Sequence, residues 1–193
     1  PVFLHSMYAE NPFYFGTKTI MTIHNLKFQG IWDIKTFEYN TDLPGYMFTP
    51  DKLEFKKDAD MLKGGMVYAD YISTVSETYA NEIQNEYYGE GLDGLLRARN
   101  NSLCGIINGI DYSIYNPETD DEIYKKYNID NFREGKDANK MELQRELGLP
   151  VDKNKFMIAI ISRLTDQKGL DLVNWVLDRI VDENTQLVVL GTG

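Results

Sequence analysis

The sequence predicts an α/β protein in which parallel strands carry flanking helices. Three observations support this class. Short apolar runs recur at residues 19–23, 71–75, 103–107, 156–161 and 186–190. Stretches with helical spacing or helix-start signals separate most of them. Strands and helices alternating at these lengths imply parallel pairing with helices on both faces. The composition agrees: 42% hydrophobic and 26% charged residues over 193 positions suit a packed core rather than a disordered chain.

The elements follow in order. Residues 19–23 read as a buried strand that ends at His24-Asn25, and residues 44–50 are rich in turn formers. Residues 57–69 read as a helix. Gly64-Gly65 weakens it, unless the pair lets the helix pack closely on a neighbour. Residues 71–75 form the second strand. Ser76 is a suitable N-cap for a helix over 77–87, with Glu77 placed to suit the helix dipole. The third strand, 103–107, ends at Asn108-Gly109. A polar stretch follows the turn at residues 115–118. A helix over 137–147 is then closed by Gly148, with Pro150 beyond it. Residues 156–161 form an uninterrupted apolar strand of the fully buried kind. Residues 169–182 form an amphipathic helix with Leu170, Val173, Val176, Leu177, Ile180 and Val181 on one face, and residues 186–190 form the next strand. This last β-loop-α-β unit reads as the opening of a second Rossmann-like domain. The expected division is residues 1–111 and 112–193.

Charge and cysteine usage exclude several functions. Thirty acidic against 20 basic residues give a net charge of −10, which argues against a nucleic-acid binder and an electrostatic membrane anchor. The longest apolar run is far below the roughly 20 residues of a membrane helix. Cys104 is alone, so no internal disulfide forms, and one Cys with two His is too few for a usual zinc cage. The Asn100-Asn101-Ser102 sequon matters only in a secretory context, and no signal peptide is read. The chain begins without Met and stops at Leu190-Gly191-Thr192-Gly193, just after a strand. A piece of a longer protein is therefore expected.

Three clusters carry chemistry. Ser162-Arg163-Leu164-Thr165-Asp166-Gln167-Lys168-Gly169 lies between a buried strand and a helix, where open α/β sheets bind ligands and helix N-termini favour anions. Arg163 offers a planar fork and Lys168 a point charge, suited to gripping a diphosphate. The alternative is a solvated loop whose cations pair with carboxylates such as Asp166. The glycine pattern of a P-loop is missing. His24, with Asn25, is a base, a sugar hydrogen-bond donor or a structural residue; its pattern alone favours the structural role. Asn108 is a ligand donor or an Asx-type turn, and its pattern alone favours the turn. Asp58-Ala59-Asp60 resembles an acidic metal pair. At i and i+2 on a helix start, however, the two carboxylates share no face and are expected to be solvated.

The motifs together resemble bacterial glycogen synthases and plant starch synthases. Thr22-Ile23-His24-Asn25-Leu26-Lys27-Phe28-Gln29-Gly30 is similar to their hydrophobic-HN-x-x-x-Q-G segment. Asp70-Tyr71-Ile72-Ser73-Thr74-Val75-Ser76 is similar to their AD-x-(I/V)-x-T-V-S strand. Gly89-Glu90-Gly91-Leu92-Asp93-Gly94-Leu95-Leu96 resembles G-x-G-L-(D/E)-G-L-L. Asn108-Gly109-Ile110-Asp111 with Asn116-Pro117 and Asp120 resembles NG-(I/V)-D-x-x-x-(W/Y)-(N/S)-P-x-x-D. The run from Ser162 to Leu172 resembles SRL-x-x-QKGLDL. The agreement spans nearly the whole chain.

The resemblance implies a retaining glycosyltransferase of family 5 and an incomplete two-domain GT-B architecture. It implies an ADP-glucose donor and an α-1,4-glucan acceptor such as glycogen, with no cofactor, metal, nucleic acid or membrane partner, in the cytoplasm. On that analogy Arg163 and Lys168 contact the ADP diphosphate and stabilise the leaving group. His24 and Asn25 lie by the donor glucose, and Asn108 hydrogen-bonds that sugar. Donor selection leaves a related UDP-sugar transferase as the alternative, with a catalytically inactive scaffold fragment as another. The family's K-T-G-G-L loop, its H-D-W-H segment and its E-x-C-G-L motif are absent from these residues. The expectation is residues 1–111 as the second half of the N-terminal domain and 112–193 as linker and first part of the nucleotide-sugar domain. This chain alone is expected to be inactive and prone to self-association.

Overall fold

The computed structural model describes residues 1–193 and divides them into two compact units, Pro1–Gly109 and Ile110–Gly193, each described by itself. The first runs through α1 (Val2–His5), β1 (Ile20–Ile23), β2 (Ile31–Trp32), α2 (Ile34–Thr41), β3 (Glu54–Phe55), β4 (Asp58–Asp60), α3 (Met61–Tyr68), β5 (Tyr71–Thr74), α4 (Glu77–Glu82), α5 (Asp93–Ala98) and β6 (Leu103–Gly105). β1, β5 and β6 form a parallel sheet in that order, and β2, β4 and β3 form a small antiparallel one. Ile23, Leu26, Met66, Ile72, Ile83 and Leu96 make the main core. Phe37, Leu43, Met47, Leu53 and Ala59 make a second. The paired glycines of α3 do allow close packing. A Cβ at Gly64 would lie 2.8 Å from Leu53 Cγ, and one at Gly65 would lie 3.0 Å from Met21 Sδ.

The expected helix over 57–69 is corrected by the structure. Its first residues are strand β4, and Asp60 is the N-cap, accepting from Lys63 N at 2.8 Å. β3 and β4 are joined by Lys56 and Lys57, both with positive φ (54° and 76°). Asn-Gly or Asp-Gly would have advertised this tight hairpin, whereas Lys-Lys hides it. The expectation of solvated aspartates fails with the helix. Residues i and i+2 share a face on a strand, and Asp60 is fully buried. Its burial pushes the carboxyl pKa up.

Two polar networks fasten α3 to the parallel sheet. Asp70 accepts from Lys18 Nζ at 2.7 Å and from Thr19 N at 2.8 Å. Arg99 donates to the carbonyls of Met66 (2.6 Å), Val67 (3.2 Å), Ala69 (2.7 Å) and Asp70 (3.2 Å), and its Nε donates to Ser102 Oγ at 3.1 Å. The carbonyls at the C-terminus of α3, which have no partner within the helix, are thereby satisfied. Ser76 caps α4 as expected, accepting from Tyr79 N at 2.9 Å, but α4 ends at Glu82 rather than 87.

The second unit contains α6 (Phe132–Glu146), β7 (Phe156–Ile161), α7 (Leu170–Ile180) and β8 (Thr185–Leu190). α6 begins five residues before the expected 137, and Gly135 in its first turns is a packing site. A Cβ there would meet Tyr127 Cβ at 2.3 Å. Gln144 is fully buried and bonds Asp152 O, Asp152 N and Gln186 Oε1, tying α6 to β8. β7 and β8 pair in parallel from Phe156↔Thr185 to Ile161↔Leu190. β7 is not the fully buried strand expected: Phe156 is 67% exposed and Ile161 76%. Two strands and one crossover helix supply too few layers to cover both faces. No helix is long and apolar enough to cross a membrane.

Candidate functional site

The parallel sheet of the first unit presents His24 and Asn108. His24 follows the carboxyl end of β1. That end is fixed by Thr74 Oγ1, which donates to Ile23 O at 2.7 Å, and by the buried Leu26, whose N–H donates to Tyr79 Oη at 3.1 Å. Asn25 is half-buried and folds the turn, its Oδ1 accepting from Lys27 N at 3.0 Å. His24 itself is exposed, and it forms no ion pair with any carboxylate.

Asn108 follows β6. The pairing of β5 and β6 continues to Ile106, whose N–H donates to Thr74 O at 2.7 Å. Asn108 is exposed, and the expected Asx turn is made instead by Asp111, which accepts from Ser113 N at 2.9 Å and Ser113 Oγ at 2.6 Å. β5 lies between β1 and β6 and runs parallel to both. His24 and Asn108 therefore both follow the carboxyl end of the same parallel sheet. This is where open α/β sheets bind ligands.

One residue of this motif region was missed in the sequence. Gln29 is buried, and its Nε2 donates to Glu90 O at 3.1 Å, so two of the quoted motifs bind one another. Its other amide atom, Oε1, is buried without a partner.

In the second unit, Arg163 and Lys168 flank the loop that joins β7 to α7. The loop closes with one 3-10 turn at Asp166–Lys168, and Gly169 (φ +66°) then starts α7 without a side-chain cap. The first amides of α7 are thus left to a ligand or water. All five ion pairs of the chain lie elsewhere, so neither Arg163 nor Lys168 is neutralised by Asp166 or any other carboxylate. The self-paired loop considered for this segment is therefore not what forms. Two uncommitted cations beside an uncapped helix N-terminus, on a chain of charge −10, are an arrangement whose chemistry suits an anion.

These features define an α/β protein of Rossmann-like construction, with exposed polar groups at strand ends in one unit and two unpaired cations in the β7–α7 loop of the other. Comparison with known proteins narrows the class. The family profile described as starch synthase catalytic domain matches residues 1–98. A glycogen synthase of Lachnoclostridium phytofermentans is 61% identical over all 193 residues, which cover 40% of that relative. One from Thermotoga maritima is 51% identical, again over the whole chain and 39% of its own length. The catalytic domain of Starch Synthase IV from Arabidopsis thaliana, solved bound to ADP and acarbose, superposes with a TM-score of 0.84 at 27% identity, covering 98% of this chain and 40% of that one. The chain belongs to the glycogen and starch synthase family of GT-B glycosyltransferases. It spans about two fifths of the length of these relatives.

Proposed function

We propose that the protein to which this chain belongs is a cytoplasmic glycogen synthase. It transfers glucose from ADP-glucose to the non-reducing end of an α-1,4-glucan with retention of configuration. Residues 1–111 contribute the second half of the acceptor-side domain, and 112–193 the linker and the start of the nucleotide-sugar domain. The observation that carries this reading is the pair of uncommitted cations, Arg163 and Lys168, before the uncapped α7. Cleaving the bond between the sugar and the diphosphate leaves negative charge on the departing phosphate oxygens. Arg163 and Lys168 stabilise that charge in the transition state, as preorganised electrostatic catalysis requires. His24 and Asn25 stand by the donor glucose, and Asn108 hydrogen-bonds its hydroxyls. The starch synthase of similar fold was solved with ADP, which supports a donor of this nucleotide.

The test is calorimetric titration of this chain with ADP. A charge-assisted contact contributes about 1.5–3 kcal/mol, so Arg163→Ala and Lys168→Ala are each expected to weaken binding about 10- to 100-fold. Variants that bind ADP as tightly as the parent chain overturn the assignment. Turnover of labelled ADP-glucose onto glycogen belongs to the longer protein, and turnover by these 193 residues alone would refute that division. Exposed apolar residues such as Trp175 and Leu172 favour self-association of the isolated chain, which light scattering reads directly.

A further inference from the structure

We propose that Gly191 and Gly193 are positioning residues for Arg163; the proposal rests on the reading that Arg163 grips a diphosphate. The pairing of β7 with β8 does not stop at the strand ends. Ser162 N donates to Leu190 O at 3.1 Å, and Leu164 N donates to Thr192 O at 3.0 Å. These bonds bracket Arg163 on both sides, so the segment that carries it runs alongside residues 190–192.

The approach is closer than any side chain allows. A Cβ at Gly191 would lie 1.9 Å from the Ser162 carbonyl oxygen and 3.1 Å from its carbon. One at Gly193 would lie 2.6 Å from the Leu164 carbonyl oxygen and 3.2 Å from Leu164 N. Most of these obstacles are backbone, which has no rotamer to change. Neither glycine has positive φ, unlike Gly148 and Gly169, whose left-handed conformation is itself a reason for glycine. What Gly191 and Gly193 supply is close approach alone. Adding a methyl group at 191 forces the Ser162 carbonyl back by about 1 Å, and the Cα of Arg163 moves with it. A displacement of that size is what bidentate phosphate recognition tolerates least.

The experiment compares the parent chain with Gly191→Ala, Arg163→Ala and the double variant, titrating each with ADP and with AMP. Gly94→Ala, whose Cβ would meet only Arg97 Nη2 at 3.8 Å, is the control. Gly191→Ala is expected to weaken ADP binding about tenfold or more, leave AMP binding within about twofold, and add nothing to Arg163→Ala. Unchanged ADP affinity, equal losses for ADP and AMP, or additive losses with Arg163→Ala would each overturn the proposal. If Gly191→Ala does not fold, Gly193→Ala, with its milder clash, takes its place under the same criteria. The diphosphate reading fails separately, when Arg163→Ala itself leaves ADP binding unchanged. Amide NMR then judges the positioning alone: signals of residues 162–165 that do not shift in Gly191→Ala refute it.

Discussion

Replacing Arg99 with Met keeps most of the side-chain stem and removes every donor. Two of the lost bonds are short, to Met66 O at 2.6 Å and Ala69 O at 2.7 Å; the other two backbone bonds are 3.2 Å and weaker. Hydrogen bonds from a charged donor contribute about 1.5–3 kcal/mol each, but neighbouring bonds from one guanidinium are not additive. Taking the two short bonds at the low end gives about 3 kcal/mol. The positive charge at the C-terminus of α3 adds a dipole contribution of about 0.3–1 kcal/mol. At roughly 4 °C per kcal/mol for a unit of this size, the unfolding midpoint should fall by about 13–16 °C. Trp32 lies in the same unit as Arg99, so fluorescence of a Trp175→Phe background follows that unit specifically. Arg99→Lys, which reaches one carbonyl rather than four, should recover less than half of the loss. An Arg99→Met midpoint within about 4 °C of the parent, roughly 1 kcal/mol, would refute the role given to this cap.

Acid unfolding should register Asp70, whose pKa is lowered to about 2, chiefly by the hydrogen bond from Lys18 and then by the Thr19 amide. A depressed folded-state value stabilises the fold above the unfolded value of about 3.9, and that contribution is lost as pH falls toward 2. The stability gap between the parent and Asp70→Asn should therefore be constant near neutrality and shrink between about pH 4 and 2; a gap that does not change there would contradict it. Asp60 has the opposite sign, because burial raises its pKa. Asp60→Asn keeps an oxygen to cap Lys63 N, so it should be at least as stable as the parent at pH 7. The parent should gain on it as pH falls, and urea titrations at several pH values check this. Gly105→Ala should destabilise by about 3 kcal/mol or abolish soluble expression, since overpacking is costly and its Cβ would lie 2.2 Å from the Ser76 carbonyl group. Gly109→Ala, with nothing within 4 Å, should leave the melting curve unmoved.

Strands with short, uninterrupted runs of apolar and β-branched residues were legible from that composition alone: residues 156–161 were placed to the residue, and 19–23, 71–75 and 186–190 nearly so. Ser76 was legible because its cap is local, contacting an amide three residues on. The β3–β4 hairpin was not, because its turn is made by two lysines in a conformation that composition does not advertise. Misreading that turn extended a helix over β4, and the helix in turn placed Asp60 in solvent. The start of α6 was missed because its first turns lie in a polar stretch without apolar periodicity, where Gly135 packs on Tyr127 through a contact that only the folded chain supplies. Arg99, Gln29 and Gln144 were illegible for a common reason. Each satisfies backbone groups many residues away, and such partners exist only once the chain has folded.

The same contrast separates the site from the scaffold. Polar side chains that build the fold are those the structure consumes: Lys18 on a carboxylate, Lys63 on the carbonyls of Pro50 and Glu54, Arg99 on four carbonyls. The candidate site residues His24, Asn108, Arg163 and Lys168 enter none of the chain's ion pairs and stand beyond the carboxyl ends of strands. Freedom alone does not single them out, since Lys136 on α6 is also exposed and takes part in no ion pair. A strand-end location fixes where a side chain stands, and an empty hydrogen-bonding capacity leaves it something to offer. A ligand grip needs both, and Arg163 and Lys168 combine them with a charge opposite to that of the chain as a whole.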